Sequence, residues 1–151
     1  MPGAHSPKPK LQIVAVVIAS LFLALLLVPH ISQSYRSSAM ADFRALTVKY
    51  VAAFNGKDLQ GCMDLFEPAL ELTDPSGTYK GVDAVQGLVS SLFDSAGDNF
   101  AFKARNVYVD DKTKTSLIEF TLKLGDKDLQ GVDVIEWSDA GKMTTLRAYV
   151  Y

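Results

Sequence analysis

The sequence predicts an α+β domain over residues 42–151, with three helices first and a meander of strands after them, the helices packed on one curved antiparallel sheet. Three observations carry this reading. Apolar residues recur at helical spacing as far as residue 92. After Gly97 the period changes to the alternation of strands. A largely apolar run at residues 11–28 stands apart from the rest and predicts one N-terminal transmembrane helix in addition to the domain.

Phe43, Leu46, Tyr50, Val51 and Phe54 mark the first helix; Asp42 or Ser38 can cap it, and Asn55-Gly56 stops it. A second, short helix starts at the cap Asp58 and runs through Leu59, Cys62, Leu65 and Phe66 to Pro68. Ala69 to Thr73 can be a short strand, and Asp74-Pro75-Ser76-Gly77 is a turn by its residue chemistry. The third helix follows Gly81, with Val82, Val85, Leu88, Val89 and Leu92 as its apolar face. Strands then cover Phe100 to Val109, Thr115 to Leu124, Leu129 to Trp137 and Lys142 to Tyr151. The second of these places Ile118, Phe120, Leu122 and Leu124 on one face and Glu119, Thr121 and Lys123 on the other. Gly125-Asp126-Lys127 and Asp139-Ala140-Gly141 are turns. Lys-Asp-Leu-Gln-Gly occurs at 57–61 and again at 127–131, once at a helix start and once entering a strand, so it is coincidence and not a structural repeat.

The N-terminal region divides into a tail at 1–10, a membrane segment at 11–28 and a polar, Ser-rich linker at 29–41. Leu11 to Val28 fits the roughly 17–25 residues that a spanning helix needs. Ala39-Met40-Ala41, the only good small-x-small site, is too far downstream for an ordinary cleaved signal, so an uncleaved signal anchor is expected. Lys8 and Lys10 favour a cytoplasmic N-terminus, which puts the domain on the extracytoplasmic or lumenal side of a single-pass membrane protein.

Composition removes several function classes. Of the 15 Lys/Arg and 17 Asp/Glu residues, Lys8, Lys10 and Arg36 precede Asp42 and no acid does, so the domain is acidic. An acidic domain without a basic run does not suit nucleic acid. Both histidines, His5 and His30, precede the domain, so no His/Cys zinc site and no His-activated Cys62 is expected. There is no Gly-rich phosphate loop, and no cofactor or metal is expected. Chemistry, if present, falls to carboxylates and phenols. Asp133 is the most telling of these, because it is in phase with Leu129, Ile135 and Trp137 on one strand face. A carboxyl placed there needs a partner or a raised pKa.

Three stretches carry a family resemblance: Tyr50-Val-Ala-Ala-Phe-Asn-Gly-Lys-Asp58, Leu72-Thr-Asp-Pro-Ser-Gly77 with Gly81 beyond it, and Val132-Asp-Val-Ile-Glu-Trp-Ser-Asp-Ala-Gly141 leading to Leu146-Arg-Ala-Tyr149. With the order of elements, residues 42–151 resemble the nuclear-transport-factor-2-like (NTF2-like) superfamily and its cone-shaped fold, in the branch of the ketosteroid isomerases and SnoaL-like polyketide cyclases. The resemblance implies a steroid delta-isomerase-like enzyme. Asp74 would be the general base, and Tyr50 and a protonated Asp133 would hold an enolate oxygen. Phe54, Phe66, Val89, Leu129, Gly131, Leu146, Ala148 and Val150 would bind the substrate, with Gly131 leaving room beside Asp133. Phe66 and Val89 stand where some isomerases carry supporting tyrosines, and Val150 where some carry a tryptophan.

The expected activity is acid–base isomerisation of a small apolar carbonyl compound, with the protein anchored in a membrane. A non-catalytic ligand-binding or assembly module of a membrane complex, and a polyketide cyclase using the same Asp74, are the competing readings. The expected partners are an apolar ligand, the membrane, and a second copy docked through the sheet or a larger membrane complex.

Overall fold

A computed structural model describes residues 41–151. The tail, the membrane segment and residues 29–40 of the linker lie outside the described residues. Among those described, no helix is long and apolar enough to cross a membrane.

Helix α1 spans Phe43–Asn55, and its start is set by Asp42, whose carboxylate accepts from the Ala45 amide at 2.9 Å. Asp58 does the same for the short α2, Leu59–Met63, accepting from the Gly61 amide at 2.8 Å. Helix α2 stops well short of the expected end at Pro68. Phe66 and Pro68 belong to strand β1, Phe66–Asp74. Pro68 is tolerated because the pairing of β1 shifts register between Phe66 and Glu71, so its missing N–H interrupts no continuous ladder. A short β2, Gly77–Lys80, returns antiparallel beside β1 across the Asp-Pro-Ser turn. Helix α3, Val82–Ala96, follows Gly81, whose φ of 85° suits glycine.

Four long strands complete the sheet: β3 Phe100–Asp110, β4 Thr115–Leu124, β5 Lys127–Trp137 and β6 Met143–Val150. The order is β2-β1-β6-β5-β4-β3. The expectation of an antiparallel sheet needs one correction: β1 and β6 run parallel, with Leu72 opposite Leu146. Alternation within a strand reports its two faces, not the direction of a neighbour distant in sequence. The two copies of Lys-Asp-Leu-Gln-Gly fall in different environments, one opening α2 and the other opening β5.

The core lies between the helices and one face of the sheet. Leu70, Ile118, Ile135, Val85 and Met143 are fully buried, each contributing about 1.5–3 kcal/mol. Cys62 is equally buried, and desolvation, with a smaller effect of the Asp58 carboxylate, pushes its thiol up to about 12. It is a small core group. A polar chain fastens α1 to the sheet. The Thr47 hydroxyl reaches the Phe43 carbonyl at 2.6 Å and the Ser116 hydroxyl at 2.7 Å, and Trp137 Nε1 donates to Ser116 Oγ at 2.9 Å. Ser116→Ala leaves the buried Trp137 N–H without its acceptor. It is expected to lower unfolding free energy by about 1–3 kcal/mol in urea titrations, and an unchanged midpoint would show the chain to be dispensable.

Candidate active site

The α1 helix, the Asp-Pro turn and strand β5 converge on one cavity of about 390 Å³, and Tyr50, Asp74 and Asp133 all line it. That volume is in the range of pockets for drug-sized ligands.

Asp133 is held in an apolar setting by strand geometry. Its sheet partners are Ile118 on β4 and Ala148 on β6, and its same-face neighbours along β5 are Gly131 and Ile135. The residue is only 4% exposed. No hydrogen bond to its carboxyl forms among the described residues, and burial alone raises its pKa from 3.8 to about 7. A sealed carboxyl of this kind would be an orphan, yet among the described residues no fully buried side-chain polar atom lacks a partner. The polar edge of Asp133 therefore opens on the cavity.

Tyr50 has the same character. It is 4% exposed, packs at 5.6 Å from the Phe54 ring and 6.5 Å from the Phe66 ring, and its hydroxyl finds no protein partner among the described residues. Burial is the main cause that holds the phenol well above its ordinary pKa of 10.0; the charge Asp133 would carry and the Cys62 thiol add to it. Asp133 is thus close enough for its charge to act on Tyr50. The effect runs one way, because Tyr50 is uncharged while Asp133 titrates. Both groups offer O–H donors to a ligand below about pH 7.

Asp74 sits at the end of β1, half-buried. Its Oδ1 accepts from the Ser76 amide at 2.8 Å, the Ser76 hydroxyl at 2.5 Å and the Gly77 amide at 3.1 Å. Tyr79 steadies the turn, its hydroxyl lying 3.0 Å from that of Ser76. One oxygen is thereby fixed by the turn, and Oδ2 makes no hydrogen bond among the described residues. The carboxylate is oriented without having both oxygens occupied, as a base requires.

Of the residues expected to bind a ligand, Phe54, Val89, Leu129, Leu146, Ala148 and Val150 line the cavity. Phe66 does not, because its ring backs Tyr50 from within the core. Gly131 does not either. A Cβ there would meet the Tyr149 carbonyl oxygen and, at 2.8 Å, the tip of the Phe120 ring, so the glycine admits Phe120 and not a ligand. Phe120 in turn lines the cavity with Phe102, their rings 4.9 Å apart. These two, together with Leu72, Leu88, Leu92 and Leu122, are wall residues to which the sequence alone gives no binding role. For Leu88, Leu92, Phe120 and Leu122 the available signal is their place on apolar faces. Lys127, in the expected turn, is also on the wall. Among the described residues no three His, Cys, Asp or Glu side chains are grouped to hold a metal.

Helices over one face of a curved six-stranded sheet, with an apolar cavity between the layers, define an NTF2-like fold. The chain is similar to an NTF2-like protein of unknown function from Cytophaga hutchinsonii, with 12% identity over 75% of this chain and 93% of that one and a TM-score of 0.64. It is also similar to a steroid delta-isomerase from Pseudomonas aeruginosa, with 20% identity over 74% and 80% of the two chains and a TM-score of 0.61. A third similar structure is Bal32a from a soil-derived mobile gene cassette, with 21% identity, 72% and 88% coverage and a TM-score of 0.62. No curated protein matches the sequence significantly. The model of the SnoaL-like domain matches residues 47–146, and the chain belongs to that family.

Proposed function

We propose that this protein is an acid–base isomerase of small apolar carbonyl compounds. The observation that carries the reading is a pair of O–H groups, Tyr50 and Asp133, without a hydrogen-bond partner among the described residues and opening on an apolar cavity that Asp74 also lines. In the proposed reaction Asp74 takes a proton from the carbon next to the carbonyl. The electron pair moves to oxygen, and Tyr50 and neutral Asp133 donate to the resulting enolate. The substrate carries a carbon–carbon double bond between its β and γ carbons; as the C=O re-forms, that double bond shifts into conjugation and Asp74 returns its proton to the γ carbon, so nothing is gained or lost overall. The apolar wall keeps water away, which strengthens both donors where charge develops. Ketosteroid isomerases, which keep one aspartic acid neutral as a donor beside a second that acts as base, divide the labour in the same way.

The test is isomerisation of a 3-oxo-Δ5-steroid by the purified full-length protein. Turnover that vanishes with Asp74 supports the reading. Membership of the SnoaL-like family favours one alternative, an aldol-type polyketide cyclase in which Asp74 again removes the proton next to a carbonyl. Cyclisation of a polyketide-like ester without steroid turnover would select it. An open cavity also speaks against a purely structural assembly module, whose cone would be filled.

We further propose that the domain lies beside a membrane, tethered by residues 11–28. Carbonate washing is expected to leave the full-length protein in the membrane fraction. Quantitative release with a mature N-terminus near Asp42 would identify that segment as a cleaved signal instead.

A further inference from the structure

Among the described residues Lys127 is the one cation on the cavity wall, and the proposed proton transfers give it no task. It opens β5 opposite Leu124, where the β4–β5 hairpin forms part of the cavity rim. Its ammonium makes no ion pair or hydrogen bond among the described residues, whereas Lys123 across the same hairpin is engaged with Asp128 at 3.4 Å. An exposed lysine is ordinarily a solvated surface group. This one differs in its alignment with the proposed donors. Lys127, Leu129, Gly131 and Asp133 are alternate residues of β5 and so share the concave face. Six residues of extended strand put roughly 20 Å between the Cα atoms of Lys127 and Asp133. The flexible lysine stem can fold along Leu124 and Leu129 with its charge in water, which shortens the span a ligand must cover.

The cavity is therefore polar at both ends and apolar between them, with O–H donors at the base and a cation at the rim. We propose that its substrate carries an anionic group, a carboxylate or sulfate, at the end of the apolar skeleton remote from the carbonyl, and that Lys127 binds that group. Lys127 is a specificity residue and takes no part in the proton transfers. The inference rests on the reading of Tyr50, Asp74 and Asp133 as the reacting end.

The experiment compares two phenolic probes that mimic an enolate, estradiol and estradiol 17-sulfate, by calorimetric titration of the full-length protein at low ionic strength. The sulfate is expected to bind about two- to fivefold more tightly, the size of effect that an ion pair at a solvated rim produces. Salt should erase the preference. Lys127→Met keeps the apolar stem and should abolish the preference; Lys127→Glu should reverse it. Equal affinities for the two probes in the unaltered protein, or a preference that survives in Lys127→Met, overturn the inference. Estradiol binding that is insensitive to Asp133→Leu overturns instead the assignment of the reacting end, and binding of neither probe overturns both.

Discussion

Asp74→Asn is expected to lower kcat for isomerisation by about 10²–10⁴-fold, the usual worth of a positioned general base. Binding of a phenolic enolate mimic should stay within about twofold, because the substitution removes basicity and not ground-state contacts. Asp74 Oδ1 accepts from the Ser76 and Gly77 amides, and an asparagine Oδ1 can accept the same two bonds. The turn that carries the group is therefore retained. The remaining atom changes from a carboxylate oxygen to an NH₂, which cannot take a proton. Single-turnover kinetics with a 3-oxo-Δ5-steroid, beside a titration with the phenol, separates the two effects. Full activity in Asp74→Asn would end the isomerase reading.

The second large effect concerns Asp133 and is visible in stability as well as in binding. Its folded-state pKa of about 7 lies above the ordinary 3.8, so the folded protein holds this proton more tightly than the unfolded chain. The resulting stability is fully present below pH 3.8 and is lost as pH rises to about 7. A shift of this size corresponds to up to ~4 kcal/mol at about 1.36 kcal/mol per pH unit. Asp133→Leu removes this dependence. Urea denaturation of both proteins at about pH 5 and pH 8 should therefore show the variant gaining on the parent at the higher pH. The same variant should weaken enolate-mimic binding, with a loss of about 10²–10³-fold in kcat for a missing oxyanion donor. Parallel stability curves for parent and variant would mean that Asp133 is solvated, and its role as a neutral donor would fall.

The helix caps at Asp42 and Asp58, the stop at Asn55-Gly56 and the long strands β3 to β6 are legible in the sequence because each is fixed by near neighbours in the chain. Pro68 points the wrong way. Its usual meaning as a helix stop gives way to a register shift supplied by β6, a strand that comes much later in the sequence. The burial of Asp133 is legible from its phase with Ile135 and Trp137. What surrounds its carboxyl is not, since Ile118 and Ala148 come from two other strands.

Helices before a strand meander, the apolar faces of those elements, and the fact that any chemistry of the domain would fall mostly to carboxylates and phenols are all readable from the sequence alone. These are properties of local periodicity and composition. Tertiary structure decided how the apolar faces divide between core and cavity. Phe66 and Phe120 are both buried aromatics on strands, yet one closes the core behind Tyr50 and the other lines the cavity. It also decided that β1 and β6 run parallel and that Gly131 serves the Phe120 ring. Lys127 passed from a turn residue to the cavity rim in the same way. The physical reason is common to all of these. A side chain's face is set by its own strand, but its depth, its neighbours and its access to a cavity are set by the strands and helices that the fold brings against it.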